Sequence, residues 1–581
     1  MKIADKMRKS NYDKYPATGI EGDIVVGWGD ILRLFGSLLE RHGRLAIDCY
    51  VGVREEELLG QLGRLGDVAV VNVRDLYHDE SRVRAMTERF MTEDVLFGYV
   101  TNLELADYFD ARKLSAAREE IASSSRPVVV VGTGAGMVLP EAPLVYADMA
   151  RWELQQRFRR HEVRALGVDN RGEAVSLQYK RGYFNDWRVC DRYKDGLFHR
   201  VDYWLDTHCA DRPKLIDRDT FLRGIEKTVS GPFRVVPFFD PAPWGGQWMK
   251  EVCELDSSQP NYGWCFDCVP EENSLYFRIG GELFELPSVD LVLLRSRALL
   301  GEPVEARFGK DFPIRFDFLD TMGGGNLSLQ VHPTTQFIRE NFGMCYTQDE
   351  SYYLLDAGDD AVVYLGLKSG IEPEAMMDDL RRAQRGEIVF DAERYVNRIP
   401  AKKHDHFLIP GGTVHCSGAD SMVLEISSTP NLFTFKLWDW QRLGLDGKPR
   451  PINVERGSRV IDWGRDTDYV REHLMNHTRV VSRGEGWIEE STGLHPNEFI
   501  ETRRHRFSVP VRHTTQHSVN VFNLLEGEEA VVESPSGAFE PFVVHYAETF
   551  IVPAGVGEYT IRPYGKSEGS TCVTIKAYVR I

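Results

Sequence analysis

The chain has 581 residues, of which 42% are hydrophobic and 27% are charged, and its formal net charge is -18. This length exceeds what one hydrophobic core supports, so we expect two to four domains. The acidic balance argues against nucleic acid or an anionic membrane as the main partner. No apolar run is long enough to span a bilayer, and the N-terminus lacks the apolar segment of a signal peptide.

Nine cysteines are scattered along the chain, and Cys265 and Cys268 alone form a C-x-x-C. No second pair completes a four-cysteine zinc site. Because strand positions three apart face opposite ways, we expect buried structural thiols here, with a redox or metal role as the alternative. Scattered thiols in an untargeted chain are typical of a reducing compartment, so we expect a cytoplasmic protein.

Residues 1–231 predict an α/β domain with a parallel sheet, because strand-like runs alternate with helical patterns. The run at 127–131 is the clearest strand, a continuous β-branched stretch typical of a buried parallel strand, and we expect a central position for it. The other strands are predicted at 44–50, 67–73 and 144–148, and the helices at 55–65, 79–91, 106–123 and 151–160.

Two segments of this domain raise a nucleotide-binding interpretation. Residues 132–136 read Gly-Thr-Gly-Ala-Gly, which is short of a full G-x-G-x-x-G and has no acid suited to a ribose about twenty residues on. The sheet order is similar to that of nucleoside-kinase-like P-loop proteins, and it places 49–54 at the phosphate loop. That segment has no G-K-[ST], so the phosphate lysine and the magnesium hydroxyl are missing. We expect a degenerate scaffold or sensing domain that hydrolyses no nucleotide.

From residue 232 the pattern changes to short aromatic and β-branched runs separated by turn residues, which predicts an antiparallel sandwich or barrel. A helical insertion is predicted at 372–384. We place one domain at 232–465, a connector at 466–496 and a second β domain at 497–581. Residues 553–557 echo 410–414 without a following histidine, so the second domain is predicted to be metal-free. His513 and His517 are expected at its surface.

Four polar residues of the first β domain form a candidate metal set. Alternation puts Gln330 and His332 on one face of a strand, Glu350 opens another strand, and His415 follows a Pro-Gly-Gly turn. An amide oxygen, two imidazoles and a carboxylate suit a borderline divalent ion such as zinc. The alternative is four unrelated polar residues in a β domain.

The order of these motifs resembles class I mannose-6-phosphate isomerase, a cupin family. The motifs are Q-x-H-P at 330–333, Glu350 before an aromatic-aliphatic run, I-P-G-G-T-V-H at 409–415 and W-D-W at 438–440. The resemblance covers roughly residues 232–581 and implies a jelly-roll double cupin. It also implies that Gln330, His332, Glu350 and His415 hold one zinc or other divalent ion. The implied enzyme interconverts mannose 6-phosphate and fructose 6-phosphate or a related sugar, so its partner would be a small-molecule sugar phosphate.

The resemblance also suggests residues that act on the substrate. Lys436 stands where the family usually has an arginine, and Arg442 follows it, so both are predicted catalytic residues. Glu425, on the strand after His415, is the candidate base, with a simple ion pair as the alternative. Gln348, Lys436 and Arg450 are predicted to bind the substrate. Gln348 stands where many members have lysine, and Lys436 differs from arginine in geometry and pKa, so the sugar is left open.

Two alternatives to a working isomerase remain open at this point. One is a non-catalytic sugar-sensing cupin, which Gln348 and the degenerate N-terminal domain favour. The other is a sugar or nucleoside kinase fused to a cupin, against which the missing phosphate-loop lysine counts. The sequence also leaves the oligomeric state open.

Overall fold

The computed structural model describes residues 9–444, 447, 450, 452–493 and 495–581. Within these residues the strands form one α/β sheet, two pairs of antiparallel sheets and a small three-stranded sheet. None of the helices in these ranges combines the length and the apolar character needed to cross a membrane.

The N-terminal region is built on a seven-stranded sheet in the described chain, confirming the predicted parallel core. Five neighbouring strands of this sheet are parallel to one another. Numbered by their order along the chain, these five strands lie in the order 2-3-1-4-5 across the sheet. The run predicted at 127–131 is Val128–Gly132, which has a neighbour on both sides but lies next to the edge strand. In spatial order the strands are Val25–Val26, Lys214–Asp217, Tyr203–Asp206, Leu144–Asp148, Arg44–Cys49, Val128–Gly132 and Ala69–Asn72.

Helices follow most of these strands, as the alternating pattern predicts. Trp28–His42 shows why such segments are helical: its apolar residues recur three to four apart and are buried, and Gly43 ends it in the left-handed conformation. The helices of this region are Trp28–His42, Glu55–Leu62, Glu80–Met91, Ala111–Ser123, Ala135–Val138, Arg151–Arg159, Val175–Arg181, Trp187–Leu197 and Arg218–Val229. The likeness of the region to nucleoside kinases stays a prediction.

The side chain of Asp48 is hydrogen-bonded to backbone amides of the glycine-rich segment 132–136. Its carboxylate accepts hydrogen bonds from the N–H groups of Gly134 at 2.9 Å and Gly136 at 2.8 Å. Amides at such a helix start are the donors that a bound phosphate uses, so an internal anion satisfies them here. Burial raises the pKa of Asp48 to about 6. The cavity beside 51–56 holds about 20 Å³, roughly the room of one water molecule.

The first β domain is a jelly roll of two facing sheets. Their side chains meet where Nε2 of His332 lies 3.2 Å from Oε2 of Glu350. One sheet contains His406–Ile409, Glu350–Ala357, Ser421–Ser428, Ile314–Asp320, Trp264–Cys268 and Phe238–Asp240. The other contains Val396–Pro400, Val362–Leu367, His415–Ser417, Leu329–Val331 and Phe435–Trp438. Cys265 and Cys268 are both buried free thiols, as expected.

Helices lie outside the two sheets, and the predicted insertion is the helix Pro373–Gln384, with proline in its first turn. The other helices of this part of the chain are Trp248–Val252, Val289–Leu300, Glu302–Phe308, Thr335–Phe342, Ala392–Tyr395, Val454–Ser458 and Thr467–Tyr469. A small sheet joins Thr18–Gly19 to the hairpin Ser274–Ile279 and Glu282–Pro287.

The second β domain is also a pair of facing sheets. One contains Arg479–Gly484, Trp487–Ser491, Ile500–Phe507, Cys572–Val579, Asn520–Glu526 and Thr549–Val552. The other contains Val511–Thr514, Glu558–Pro563, Glu529–Glu533 and Phe542–His545. His517 is exposed, as expected. The surface position expected for His513 is wrong: it is 6% exposed and stacks on Tyr559 in the core.

A buried ion cluster joins the α/β domain to the first jelly roll. The Lys194 ammonium group lies 3.1 Å from the Asp148 carboxylate, which ends a strand of the sheet, and 2.6 Å from Asp290 of the helix Val289–Leu300. All three side chains are buried. Removing one partner of such a cluster leaves a buried charge uncompensated, which is strongly destabilising. The two domains are therefore held in one arrangement by charges as well as by apolar packing.

Candidate metal centre and adjoining cavity

Three short strands bring the predicted metal ligands together inside the first jelly roll. Gln330 lies on the strand Leu329–Val331, and His332 follows directly after it. Glu350 and His415 each begin a strand. Gln330 and His415 are paired across neighbouring antiparallel strands, while Glu350 reaches them from the facing sheet. Gln330 and His332, for which the alternation predicted a common face, therefore both lie next to residues distant in sequence. Gln330 lies next to His415, and His332 lies next to Glu350.

The Glu350 carboxylate lies between two imidazole rings. Its Oε1 is 2.7 Å from Nε2 of His415, and its Oε2 is 3.2 Å from Nε2 of His332. One donor atom from each residue lies within 4.8 Å of the others, and no second such His, Cys, Asp and Glu cluster occurs in the described ranges. All three side chains are buried, with 2% exposure or less. The spacing suits a single shared cation.

The protonation of the rings supports a cation at this point. Nδ1 of His332 faces the Phe433 carbonyl oxygen at 3.1 Å, and Nδ1 of His415 faces the Thr413 carbonyl oxygen at 2.9 Å. Nδ1–H donates to these carbonyls, which leaves the Nε2 lone pairs directed at the Glu350 carboxylate. Lone pairs facing an anion repel it unless a proton or a metal cation lies between them, and zinc sites typically fix the ligating histidines through such Nδ1–H bonds. The donor set therefore fits zinc.

Charge interactions within the cluster are strong. Burial alone would raise the pKa of Glu350, but the imidazoles of His332 and His415 lower it well below the ordinary carboxyl range. Burial lowers the pKa of His332, and the Glu350 carboxylate overcomes this and raises it. Gln330 lies close by, with Nε2 at 3.3 Å from Nε2 of His415. Rotation of that amide by half a turn would present its oxygen instead.

A cavity of about 310 Å³ adjoins this cluster. It contains most of the residues that the sequence singled out: Gln330, Gln348, Glu350, Glu425, Lys436 and Arg450. Its remaining wall is aromatic and polar, with Leu96, Phe97, Trp244, Trp264, Phe266, Arg315, Asp317, Leu327, Ser328, Asn431, Leu432, Thr434 and Asn453. An enclosed space with an apolar wall and a few converging charges is the usual form of a small-molecule site.

Gln348 links the metal cluster to the candidate base. Its Nε2 donates to Oε2 of Glu350 at 3.2 Å and to Oε1 of Glu425 at 3.3 Å. Glu425 is 4% exposed, and burial, followed by repulsion from Glu350 and Asp317, raises its pKa well above the usual carboxyl value. A neutral amide can serve both carboxyl groups, whereas a lysine at this position would add a positive charge between them.

Lys436 lies directly across from Gln330 in the pairing of two antiparallel strands. Burial, then the guanidinium groups of Arg450 and Arg442, lowers the pKa of Lys436 to about 8. Across the stretches that the structure describes, no carboxylate forms an ion pair with its ammonium group. A half-buried cation without a carboxylate partner costs desolvation energy, so this lysine is well placed to receive an anionic or carbonyl oxygen.

Arg450 and Arg442 share one carboxylate but lie in different surroundings. Asp439 is 2.6 Å from Nη2 of Arg442 and 3.2 Å from Nη1 of Arg450, and it accepts a hydrogen bond from Ser328. Arg450 lines the cavity. Arg442 donates to the Asn326 carbonyl and is absent from the described lining of the cavity. The structure therefore brings every predicted site residue except Arg442 to the cavity or the metal cluster.

Arg315 and Asp317 are cavity residues that the sequence reasoning missed. They form a buried ion pair of 2.7 Å on the strand Ile314–Asp320. The signal was available, because two charged residues spaced two apart in an otherwise apolar strand point to one face. No comparable signal marks Leu96 and Phe97, which reach the cavity from the α/β domain, because that contact depends on the docking of two domains.

Two facing sheets with an inward His, Glu and His cluster define this part of the chain as a cupin-like jelly-roll domain with a candidate metal centre. By sequence, the chain is 26% identical over 230 residues to the probable mannose-6-phosphate isomerase GmuF of Bacillus subtilis (strain 168), covering 40% of this chain and 68% of that protein. It is 25% identical over 263 residues to the mannose-6-phosphate isomerase ManA of the same organism, covering 44% and 74%.

Solved structures and a family model give further comparisons. A mannose 6-phosphate isomerase from Bacillus subtilis matches with a TM-score of 0.48 and 18% identity, over 60% of this chain and 100% of that one. A zinc-bound mannose 6-phosphate isomerase matches with a TM-score of 0.45 and 14% identity, over 60% and 100%. Residues 27–230 match a family described as a domain of unknown function, DUF8485.

Proposed function

We propose that this protein is a metal-dependent sugar-phosphate isomerase that interconverts mannose 6-phosphate and fructose 6-phosphate. The observation that carries the proposal is the single cavity of about 310 Å³ in which the metal cluster meets a buried carboxyl group, Glu425, and two cations, Lys436 and Arg450. The sequence relatives named mannose-6-phosphate isomerase support the same reaction class.

His332, Glu350 and His415 would hold the metal, with Gln330 as a fourth ligand through its amide oxygen. Zinc is the proposed ion, one per chain, because two imidazoles, a carboxylate and an amide oxygen suit a borderline divalent ion. When bound, such an ion supplies a positive charge that stabilises negative charge developing on a substrate oxygen.

Aldose–ketose isomerisation moves a proton between C1 and C2, so the site needs a positioned base. In our proposal Glu425 takes the proton from one carbon and returns it to the other. The raised pKa of its carboxyl group makes Glu425 a stronger base than an exposed glutamate. Gln348 holds that carboxyl group in place through its hydrogen bond.

Lys436 and Arg450 are proposed to bind the anionic and hydroxyl oxygens of the substrate. Lys436 has no carboxylate partner in the described chain, and its position opposite Gln330 puts it beside the metal cluster. Arg442 would act as a positioning residue, because it holds Asp439, and Asp439 in turn holds Arg450.

An assay over a panel of aldose and ketose phosphates, with the unphosphorylated sugars included, tests the proposal. We expect turnover of mannose 6-phosphate, and we expect Glu425→Gln to lower kcat far more than it raises KM, because proton transfer is a transition-state role. Protein with full metal content that converts no sugar phosphate would contradict the isomerase.

The second candidate is a sugar-binding regulatory cupin that retains the metal but has no turnover. Gln348 favours it, since a neutral amide stands where many family members have a lysine. Saturable sugar-phosphate binding without conversion, measured on metal-loaded protein, would support this candidate over the enzyme. A kinase fused to a cupin is disfavoured, because Asp48 already fills the glycine-rich amides.

A further inference from the structure

A second cavity, of about 370 Å³, lies between the α/β domain and the first jelly roll. It is larger than the cavity beside the metal cluster, and none of the residues to which we assign a role in isomerisation lines it. Arg151, Tyr183, Trp187 and Arg188 form its wall on the α/β side, and Phe308 belongs to the wall on the other side.

A π-helical turn shapes one wall of this interdomain cavity. The helix Val175–Arg181 continues through the π turn Gly182–Asp186 into Trp187–Leu197. π-Helical turns are rare in proteins overall, but those that occur are often found at functional sites. Here the turn puts the edge of one ring against the other at Tyr183 and Trp187, with centroids 6.3 Å apart and planes at 65°. Trp187 is 1% exposed, so these rings support the wall from behind. The partly exposed Phe308 on the opposite wall is an apolar surface on which a ligand ring can pack.

Most charged side chains of the interdomain cavity already have partners. Arg151 pairs with Asp191, and Lys310 pairs with Asp195. Glu272 accepts a hydrogen bond from Asn431 at 3.1 Å. These pairs fix the wall but offer little to a ligand.

Arg188 and Glu271 do not have such partners among the described residues, and neither does Asp311, which is exposed. Arg188 donates through Nε to the Tyr183 carbonyl at 3.1 Å, and its terminal NH₂ groups donate to no residue that the structure describes. Both carboxyl oxygens of Glu271 are shielded from solvent and have no hydrogen-bond partner in the described chain. A buried polar atom without a partner costs free energy and calls for an unseen one. Burial raises the pKa of Glu271 to about 8, so near neutral pH this group can donate as well as accept.

We propose that the interdomain cavity binds an uncharged, polyhydroxylated ring molecule, as in a free sugar or the ribose of a nucleoside. Hydroxyl groups both donate and accept, so the hydroxyls of one molecule can satisfy Arg188 and Glu271 while the apolar face of its ring packs on the partly exposed Phe308. A phosphate dianion fits poorly, because the basic side chains of the wall other than Arg188 are already paired with carboxylates, and the remaining acidic side chains repel it. The acidic residues are Asp191, Asp195, Glu271, Glu272 and Asp311, and the basic ones are Arg151, Arg188, Arg192 and Lys310.

Calorimetry on the full-length protein tests this site, with D-mannose, D-fructose and adenosine as probes. We expect saturable binding of at least one probe. Binding of D-mannose or D-fructose would indicate a free sugar as the ligand, and binding of adenosine would indicate a nucleoside. Glu271→Leu and Arg188→Leu should each raise the Kd about tenfold, the scale of a lost hydrogen bond, because leucine can neither donate nor accept. Arg192→Leu is the matched control, since Arg192 lines the same cavity but is committed to Glu104.

Asn431 lines both cavities, so the measurement is repeated on Lys436→Met to separate the two sites. Binding to the interdomain cavity should keep its Kd in that variant. The proposal is overturned if no probe binds saturably at millimolar concentration, or if binding survives Glu271→Leu and Arg188→Leu unchanged. Neither result depends on isomerase turnover, so this site and the proposed function fail independently.

Discussion

Phe97 of the α/β domain packs edge-on against Phe435 of the jelly roll, with ring centroids 5.3 Å apart and planes at 87°. Phe435 immediately precedes Lys436. Arg456 lies over the Phe97 ring at 5.1 Å and pairs with Asp94 on the same loop. The wall of the candidate active site is therefore built by two domains, and its shape depends on how they dock.

The first prediction is that Phe97→Leu impairs isomerisation. The smaller side chain loosens the strand that carries Lys436, and small displacements of substrate-binding groups are costly. We expect kcat/KM to fall about tenfold with unchanged metal content. Val95→Ala is the control, because Val95 lies on the same loop but is 61% exposed. Equal kinetics for wild type and Phe97→Leu would show that the α/β domain does not shape the site.

Lys436→Met is predicted to abolish turnover while the metal stays bound. Methionine keeps the apolar stem but removes the unpaired cation, which we assign to the substrate oxygens. Steady-state kinetics and metal analysis on the same preparation check this. Lys436→Arg should retain part of the activity, because arginine keeps the positive charge while its geometry and pKa differ from those of lysine. Unchanged kinetics in Lys436→Met would mean that the role assigned to this position is wrong.

His332, Glu350 and His415 lie together in the structure, and that they bind a metal stays a prediction. Local patterns contributed, because Gln330 and His332 alternate on one strand and His415 follows a Pro-Gly-Gly turn. The order of the motifs along the chain, through its resemblance to a known family, is what joined residues so far apart in sequence. Buried strands such as Val128–Gly132 were also visible, since a continuous β-branched run is typical of a strand covered on both faces.

Features that depend on tertiary contact were not predictable in the same way. Nothing near Phe97 in sequence indicates a cavity whose other residues lie hundreds of positions away. The residues around His513 have the polar composition of a surface turn. The ring of His513 nevertheless stacks on Tyr559, which lies on another strand. Arg442 follows the family pattern in sequence, while its hydrogen bonds to Asp439 and Asn326 direct it away from the cavity.

The third prediction is that the α/β domain neither binds nor hydrolyses ATP or GTP. Asp48 accepts hydrogen bonds from the amides of Gly134 and Gly136, and the segment 49–54 has no lysine for phosphate and no serine or threonine for magnesium. Calorimetry on the full-length protein with magnesium and each nucleotide checks this. Micromolar, magnesium-dependent binding, or phosphoryl transfer to any sugar, would revive a fused kinase.

The fourth prediction concerns acid stability. His406 is 1% exposed, and burial lowers its pKa from 6.5 to about 4. Between these values the unfolded chain binds the proton more tightly than the folded one, so stability is full above pH 6.5 and is lost as the pH falls. The loss between pH 7 and 5 should be about 2 kcal/mol.

Urea unfolding midpoints at the two pH values check this, with wild type compared with His406→Phe. The variant should lose less stability on acidification, because phenylalanine does not titrate. His517→Phe is the control, since that histidine is exposed. Equal pH dependence in wild type and His406→Phe would contradict the assignment.

The most direct test of the central claim is mannose 6-phosphate turnover measured with metal content on the same full-length sample. We predict one divalent ion per chain, loss of activity on chelation and recovery when zinc is restored. His332→Ala and His415→Ala should each lose the metal and the activity together. Full activity in metal-free protein, or full metal content in either variant, would contradict the claim.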